Sequence, residues 1–253
     1  MELNKIYNED CLVGMKRIPD GSVDMILCDL PYGTTACKWD SIIPLEPMWE
    51  QYERIIKDNG AIVLTASQPF TSKLIMSNPK LFRYEWIWIK SRASLFQNAR
   101  RMPMKRHENV CVFYKKLPTF NLELKKLDKK IKSSRKNKGG NLYGKIPEGK
   151  EYYQTETGFK FSDIKFKNPN NKNIHPTQKP VALFEYLIKT YTNEGDVVLD
   201  NCIGSGTTAI ACLNTNRNYI GFELDEEYYK ASLERIEEHK KEWNKENEQY
   251  EFR

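Results

Sequence analysis

The chain has 253 residues with a formal net charge of +6, and 40% of its residues are hydrophobic. This length suits one α/β domain with a buried core and an insertion. The first residues contain no apolar run suited to a signal peptide, and the predicted strands are far too short to span a bilayer. These features exclude a membrane partner and predict a soluble, cytoplasmic protein.

The cysteines and histidines indicate neither disulfides nor a metal site. The six cysteines, at positions 11, 28, 37, 111, 202 and 212, include no C-x-x-C pair. Several of them fall in apolar patterns, where a reduced and buried thiol is the usual state. His107, His175 and His239 lack the spacing of metal ligands.

The strand-like run Val23–Cys28 leads directly into Asp29-Leu30-Pro31-Tyr32. The amino group of a nucleobase is a poor nucleophile because its lone pair is delocalised into the ring. Two acceptors aimed at its N–H bonds would localise that pair, and the Asp29 carboxylate with the backbone carbonyl of Leu30 or Pro31 can supply them. The Tyr32 ring can stack on the base. The segment favours methylation of an exocyclic amine, although D-x-P-Y also occurs as an ordinary strand-to-turn exit.

Helices and strands alternate along the rest of the chain. Leu45–Lys57 is predicted to be a helix, Gly60–Leu64 a strand and Pro69–Ser77 a second helix. Further helices are predicted at Val181–Lys189 and Glu226–Asn247. The crossovers of a parallel sheet require such alternation. The sequence therefore predicts an α/β fold with a doubly wound, mostly parallel sheet.

A basic segment separates two further predicted strands, Glu85–Lys90 and Asn109–Tyr114. As an irregular loop at the carboxyl edge of the sheet, on the same rim as Asp29, it can grip DNA phosphates and help to hold an extruded base. The alternative is that its arginines only keep an exposed loop soluble. The candidate DNA-binding residues here are Lys90, Arg92, Arg100, Arg101, Lys105 and Arg106.

Residues 115–150 form the most basic part of the chain. They contain twelve Lys or Arg and three acidic residues, a net charge of +9. The segment is aperiodic and rich in turn signals, so it is predicted to be a loop-rich insertion that binds a phosphate backbone. A solvated, lysine-rich surface is the alternative. The candidate DNA-binding residues here are Lys129, Lys130, Lys132, Arg135, Lys136 and Lys138.

The C-terminal half contains a predicted nucleoside-cofactor unit. A buried strand at Asp196–Asp200 is followed by a glycine-rich turn at Gly204–Gly206 and the start of a helix. The glycines let the backbone approach a ligand closely. The next strand, Asn218–Phe222, leads into Glu223, whose carboxylate can bind ribose hydroxyls. From these residues alone, NAD fits nearly as well as S-adenosylmethionine (SAM).

Three motifs together resemble the D-P-P-Y type of SAM-dependent DNA amino methyltransferases, which make N6-methyladenine or N4-methylcytosine. Asp29–Tyr32 is similar to the D-P-P-Y motif itself, with Leu30 in place of its first proline. Asp200–Thr208 is similar to the cofactor motif, with Cys202 in place of a phenylalanine, and His175–Pro180 to the segment before it. The catalytic motif precedes the cofactor motif, as in the β class of the family.

The resemblance implies a Rossmann-like methyltransferase sheet with SAM as the cofactor. Residues 1–115 would form the catalytic half, residues 116–172 a target-recognition insertion, and residues 173–253 the SAM-binding half. For Asp10, a helix cap is an open alternative to a cofactor contact. The cofactor contacts that the resemblance implies are Asp10, Cys11, Thr177, Lys179, Asp200, Gly204, Ser205, Gly206, Thr207, Thr208 and Glu223.

The activity that the resemblance implies is site-specific methylation of double-stranded DNA, with the target base extruded from the duplex. We expect N6 of adenine as the target, since the family's N4-cytosine enzymes more often carry serine where this chain has Asp29. Methylation of cytosine N4 stays open. A homodimer and a cognate restriction endonuclease are further partners that the resemblance suggests.

Two hypotheses from other functional classes also stay open. An NAD-dependent oxidoreductase would use the glycine-rich turn and Glu223, but it would leave Asp29 unexplained. A DNA-binding protein without catalysis would have no reason to keep Asp29 beside an intact glycine-rich turn.

Overall fold

The computed structural model describes residues 1–33, 41–132, 153–169 and 178–251, with side chains up to residue 245. The backbone divides into two compact units. The larger unit contains residues 1–121 and 162–253, and the smaller unit contains Leu122–Phe161. Among the described residues, no helix is both long enough and apolar enough to cross a bilayer.

The described residues form ten strands and six α-helices. The strands are β1 (Lys5–Asn8), β2 (Val23–Asp29), β3 (Ile56–Ala66), β4 (Phe82–Ser94), β5 (Lys105–Phe113), β6 (Lys125–Lys132), β7 (Tyr153–Thr157), β8 (Asp163–Phe166), β9 (Val197–Asp200) and β10 (Asn218–Glu223). The helices are α1 (Cys11–Gly14), α2 (Leu45–Ile55), α3 (Phe70–Ser77), α4 (Val181–Tyr191), α5 (Thr207–Asn214) and α6 (Glu226–Glu251).

Eight strands of the larger unit form one sheet in the order β1-β10-β9-β2-β3-β5-β4-β8. Strand β5 runs antiparallel to β3 and β4, and the other neighbouring pairs are parallel. Helices α1 to α3 pack on one face of the sheet, and α4 to α6 pack on the other. This two-sided arrangement confirms the predicted Rossmann-like, mostly parallel α/β fold.

The central strand β2 shows why the sequence folds in this way. Met25 and Leu27 point into the core on one face, and Ile26 and Cys28 point into the core on the other. All four side chains are fully buried. A strand that is buried on both faces needs a continuous apolar run rather than an alternating pattern, and residues 23–28 supply it almost throughout.

The pairing of β2 with β9 brings the two halves of the chain together. Met25 pairs with Val198 and Ile26 with Leu199, in parallel register. Both strands therefore end at the same edge of the sheet, in Asp29 and Asp200. In such sheets, ligands bind in the crevice outside the carboxyl ends of the strands.

The predicted helix over Leu45–Lys57 is wrong at its C-terminal end. Helix α2 stops at Ile55, and Ile56 begins β3, where it pairs with Val23. The β-branched Ile56 is buried against β2, and this tertiary contact outweighs the helical pattern that precedes it.

The basic segment that was predicted to be an irregular loop is in part a β-hairpin. Strand β4 continues to Ser94 and β5 begins at Lys105, so that Arg92, Lys105 and Arg106 lie in strands. Ser94 pairs with Lys105 at the end of this ladder. Only residues 95–104 lie outside the two strands. Long-range pairing along the hairpin, which has no local signature in the sequence, accounts for the difference.

The smaller unit contains the ladder of β6 with β7. The two strands pair in antiparallel register, from Lys125 with Thr157 to Lys132 with Tyr153. Lys129 and Lys130 are exposed on β6. The sequence did not indicate β6, since lysine has a low β propensity and the pairing is not local. The segment predicted as the insertion, residues 116–172, is longer than this unit, because β8 pairs with β4 in the larger sheet.

Candidate active site

A cavity of about 950 Å³ lies at the carboxyl edge of the larger sheet. The Asp29–Tyr32 segment lines one side of it, and residues of the glycine-rich turn with Glu223 line another. Arg92, Ala93 and Ser94 at the end of β4 contribute to its wall. The structure thus places the two sequence motifs, which are far apart in the chain, around a common space.

Both carboxylate oxygens of Asp29 accept hydrogen bonds. Lys179 Nζ donates to Oδ2 at 2.6 Å, and Tyr32 OH donates to Oδ1 at 2.8 Å. The Thr65 hydroxyl also donates to Oδ1, and it lies 3.1 Å from Tyr32 OH. These donors fix the orientation of the carboxylate, whose side chain keeps 21% of its surface exposed.

The Tyr32 ring is also held in place. It stacks on Phe70 with ring centroids 5.5 Å apart, and Lys179 Nζ lies 5.6 Å from the ring centroid. Burial and the nearby Asp29 carboxylate raise the pKa of Tyr32 well above its usual value, so the phenol stays a hydrogen-bond donor at neutral pH. That Tyr32 stacks on a target base stays a prediction.

Lys179 belongs to a buried chain of charges. Its Nζ lies 3.5 Å from Glu108 Oε2, and the other oxygen of Glu108 forms an ion pair with Lys90. Burial opposes the charged form of Lys179, but the Asp29 and Glu108 carboxylates outweigh it and raise the pKa of Lys179. Burial also opposes ionisation of Glu108, yet Lys179 and Lys90 lower its pKa. Lys179 and Glu108 are therefore charged together at neutral pH.

Two predicted residues belong to this chain of charges. Lys179 was predicted to hold the cofactor; its ammonium is paired with Asp29 while the residue lines the cavity, so the cofactor contact stays a prediction. Lys90 was predicted to bind DNA, and its ammonium is paired with Glu108, with 14% of the side chain exposed. The sequence analysis missed Glu108 and Thr65. No motif marks them, because each reaches the site only through the order of the strands.

The glycine-rich turn follows β9 in the geometry that the sequence predicted. Gly204 and Gly206 have φ angles of +49° and +77°, in the left-handed region that favours glycine. The Gly204 backbone N–H donates to Glu223 Oε2 at 2.8 Å. Glu223, at the end of β10, therefore braces the turn from the neighbouring strand while it lines the cavity.

Asp200 stabilises the glycine-rich turn through hydrogen bonds to residues on both sides of it. Its Oδ1 accepts from the Cys202 backbone N–H at 3.0 Å, and its Oδ2 accepts from the Thr208 hydroxyl. The side chain is almost completely buried, and this burial raises the pKa of Asp200 to about 6. Asp200 and Thr208 thus have a supporting role in the structure, whether or not they also contact a cofactor.

Arg235 in α6 holds the turn from the other side. Its guanidinium donates to the Ser205 carbonyl at 2.7 Å and to the hydroxyls of Ser205 and Thr207 at 3.1 Å. The sequence predicted only a helix over Glu226–Asn247 and gave no role to Arg235. Ile236 is buried in the core, and Arg235 precedes it in α6. The apolar Ile236 could therefore have indicated that its neighbour Arg235 is partly buried.

At the N-terminus, Asp10 is the cap of α1. Its Oδ1 accepts from the backbone N–H groups of Leu12 at 2.7 Å and Val13 at 3.3 Å. Asp10 and the buried Cys11 also line the cavity, so the predicted cofactor contact is compatible with the cap. The five cysteines in the described part of the chain are free thiols.

The remaining candidates for DNA binding lie on the rim or beyond the described residues. Arg100 and Arg101 are exposed. Lys105 Nζ contacts the Ser67 hydroxyl, and Arg106 Nε donates to the Lys90 carbonyl at 3.1 Å. Four predicted residues lie outside the described part of the chain: Arg135, Lys136, Lys138 and Thr177.

Comparison with known families identifies the chain. A family model for DNA methylases of the N6 and N4 type matches residues 23–234. The protein belongs to the N6/N4 DNA amino methyltransferase family. It is accordingly a SAM-dependent DNA methyltransferase, and DNA is its partner. This assignment replaces the two alternatives from other classes, an NAD-dependent oxidoreductase and a DNA-binding protein without catalysis.

Individual relatives of this methyltransferase cover nearly the whole chain. The DNA adenine methyltransferase YhdJ of Escherichia coli is 30% identical, over 93% of this chain and 83% of its own length. The type II methyltransferase M.HpaI of Haemophilus parainfluenzae is 28% identical, over 92% of this chain and 74% of its own. The crystal structure of the M1.HpyAVI–SAM complex matches with a TM-score of 0.63 and 26% identity, covering 91% of this chain and 98% of that one.

Proposed function

We propose that this methyltransferase transfers the methyl group of SAM to N6 of adenine at a specific sequence in double-stranded DNA. The observation that carries the proposal is the position of Asp29, a carboxylate fixed by three donors in the same cavity as the glycine-rich turn. Asp29 favours adenine through the family resemblance, and the relative YhdJ is named a DNA adenine methyltransferase. Cytosine N4 is the alternative, since the family contains enzymes of both kinds.

Asp29 can orient the amino group without losing its present partners. Each carboxylate oxygen has two lone pairs, so Oδ2 can accept one N–H of the base while Lys179 stays bound. The backbone carbonyl of Leu30 or Pro31 accepts the other N–H. The developing positive charge on the nitrogen then meets fixed negative dipoles, which is the electrostatic stabilisation that this reaction needs.

The residues around the glycine-rich turn fit SAM. The half-buried Glu223 carboxylate suits the ribose hydroxyls, and the Gly204 backbone, which lines the cavity, lets a nucleoside approach closely. When bound, SAM supplies an electrophilic methyl group on its sulfonium. Asp10 and Cys11, on the same wall of the cavity, complete the proposed set of contacts.

The basic residues are proposed to bind the DNA backbone. Arg100 and Arg101 on the rim, with Lys129, Lys130 and Lys132 on β6, present exposed cations to a phosphate backbone. The smaller unit, Leu122–Phe161, would then be the core of the target-recognition insertion. A homodimer, a cognate restriction endonuclease and a cytoplasmic location are proposals that depend on the family resemblance alone.

The test uses unmethylated genomic DNA and methyl-labelled SAM, followed by digestion to nucleosides. Label in N6-methyladenine that Asp29→Ala abolishes would support the proposal. Asp58→Ala is the matched control, because Asp58 is an exposed aspartate whose partner, Lys116, lies on the surface. Label in N4-methylcytosine would overturn the base assignment, and no label in DNA would overturn the proposed function.

A further inference from the structure

The connection between β4 and β5 exposes an apolar cluster. We call residues 95–104 the hairpin tip. Four of its side chains are exposed: Leu95 by 42%, Phe96 by 79%, Met102 by 48% and Met104 by 45%. Isolated apolar residues are common on protein surfaces, but a group of four on one short segment marks an interaction site.

The hairpin tip has an ordered backbone. Residues Phe96–Asn98 form a 3₁₀ turn, in which the Asn98 and Ala99 N–H groups donate to the Leu95 and Phe96 carbonyls at 3.0 Å. Leu95 has a φ angle of +68°, a left-handed conformation that a leucine adopts only when its surroundings impose it. These hydrogen bonds give the segment a defined backbone conformation, in which the Phe96 side chain is exposed.

The hairpin tip rises directly from the wall of the active-site cavity. Ser94, the last residue of β4, lines the cavity and pairs with Lys105. Lys105 in turn contacts Ser67, which follows the carboxyl end of β3. Phe96 is therefore two residues from the cavity wall, on the same rim of the sheet as Asp29.

The positive charge of the hairpin tip and of the adjoining strand ends favours DNA as the binding partner. Residues 91–107 contain five Lys or Arg and no acidic residue. The side chains of Arg100 and Arg101 are exposed. A second copy of the chain would bring like charges together, whereas a DNA backbone would neutralise them.

We propose that Phe96 is a wedge that enters the DNA duplex where the target nucleotide leaves it, while Arg100 and Arg101 bind the flanking phosphates. An inserted apolar side chain stabilises the unstacked step, and an aromatic ring can stack on the bases that remain. The wedge rests on the proposed function, because it assists only a reaction that needs the base outside the helix.

The test compares two DNA substrates after the methylated site has been mapped. The paired duplex carries the normal target site. The abasic duplex has an abasic nucleotide opposite the target base, so that extrusion needs little help. Phe96→Ala should lower kcat/KM on the paired duplex by about tenfold or more. On the abasic duplex, kcat/KM of the variant should stay within about twofold of wild type. Phe96→Trp should restore activity on the paired duplex.

Two control variants separate a wedge from a general contact. Arg100→Ala and Arg101→Ala should weaken binding to both duplexes by the same factor. Each should also reduce the slope of the logarithm of the DNA-binding constant against log salt by about 1. Met76→Ala should leave kcat/KM on both duplexes unchanged, since Met76 is a similarly exposed apolar residue near the C-terminal end of α3. Thermal unfolding and SAM binding by calorimetry check that each variant is folded.

Three results would overturn the wedge. Phe96→Ala could leave the paired duplex unaffected, could reduce activity on both duplexes by the same factor, or could convert a dimer to a monomer in sedimentation. In each case the wild type still methylates DNA, so the proposed function survives. If no methylated site can be mapped in DNA treated with the wild type, the proposed function fails instead, and the wedge fails with it.

Discussion

Lys179 Nζ lies 2.6 Å from Asp29 Oδ2, although 150 positions separate the two residues in the chain. Asp29 ends β2, and Lys179 lies just before α4, so the contact joins the catalytic motif to the segment that precedes the cofactor motif. Lys179 is 6% exposed. A buried ammonium paired with the carboxylate that we propose to be catalytic links the stability of the fold to the geometry of the proposed reaction.

Lys179→Met should destabilise the protein and lower its activity. The change leaves Asp29 and Glu108 without their shared cation, and breaking a buried ion pair costs about 3 kcal/mol or more. Urea unfolding at neutral pH would measure the loss. Lys116→Met, which removes an exposed ion pair with Asp58, is the control and should change the free energy of unfolding little. Equal effects of the two variants would contradict the burial argument.

Glu108→Gln should lower the free energy of unfolding at pH 7 by roughly 2 kcal/mol, because Lys90 and Lys179 lose their common anion. The folded-state pKa of Glu108 lies below its ordinary value of 4.5. The stabilisation by its charge is therefore complete above pH 4.5 and is lost as the pH falls through the lower, folded-state pKa. Urea unfolding at pH 7 and pH 3.5 should show the gap between wild type and variant closing in acid. A constant gap would refute the assignment.

Thr65→Val should reduce kcat with little effect on SAM affinity. The variant removes one of the two donors to Asp29 Oδ1 and the hydroxyl beside Tyr32 OH, so the carboxylate is held less firmly. A hydrogen bond to a charged group corresponds to about a tenfold change in rate. Steady-state methylation and calorimetry would separate the two effects. Thr215→Val, a buried threonine whose hydroxyl bonds only backbone carbonyls of α5, should leave kcat unchanged.

Asp200→Asn should change how stability depends on pH. Burial raises the pKa of Asp200 from 3.8 to about 6, so the folded state binds a proton that the unfolded state releases between these values. The folded wild type therefore loses about 3 kcal/mol relative to the unfolded chain as the pH rises from 4 to 7. The neutral asparagine does not titrate, so the variant should gain on the wild type over this range. Urea midpoints at pH 4.5 and 7.5 that move in parallel would contradict the prediction.

Much of the site could be predicted from the sequence because its motifs are continuous. Asp29–Tyr32 and Gly204–Gly206 are runs of adjacent residues. Their chemistry and their backbone requirements can therefore be inferred from the sequence before the fold is known. The apolar runs of β2 and β9 likewise predict buried strands, and parallel strands end at one edge of a sheet. These continuous patterns are sufficient to predict the fold class and to place both motifs at the carboxyl edge of the sheet.

The other side chains of the site could not be predicted, because they reach it through the packing of distant segments. Thr65 reaches Asp29 because β3 pairs with β2, and Glu108 reaches Lys179 because β5 lies next to β3. Arg235 reaches the glycine-rich turn through the packing of α6. These contacts depend on strand order and register, which are properties of the whole sheet. A buried charge is stable only beside its partners, so the roles of these residues emerge only when the chain has folded.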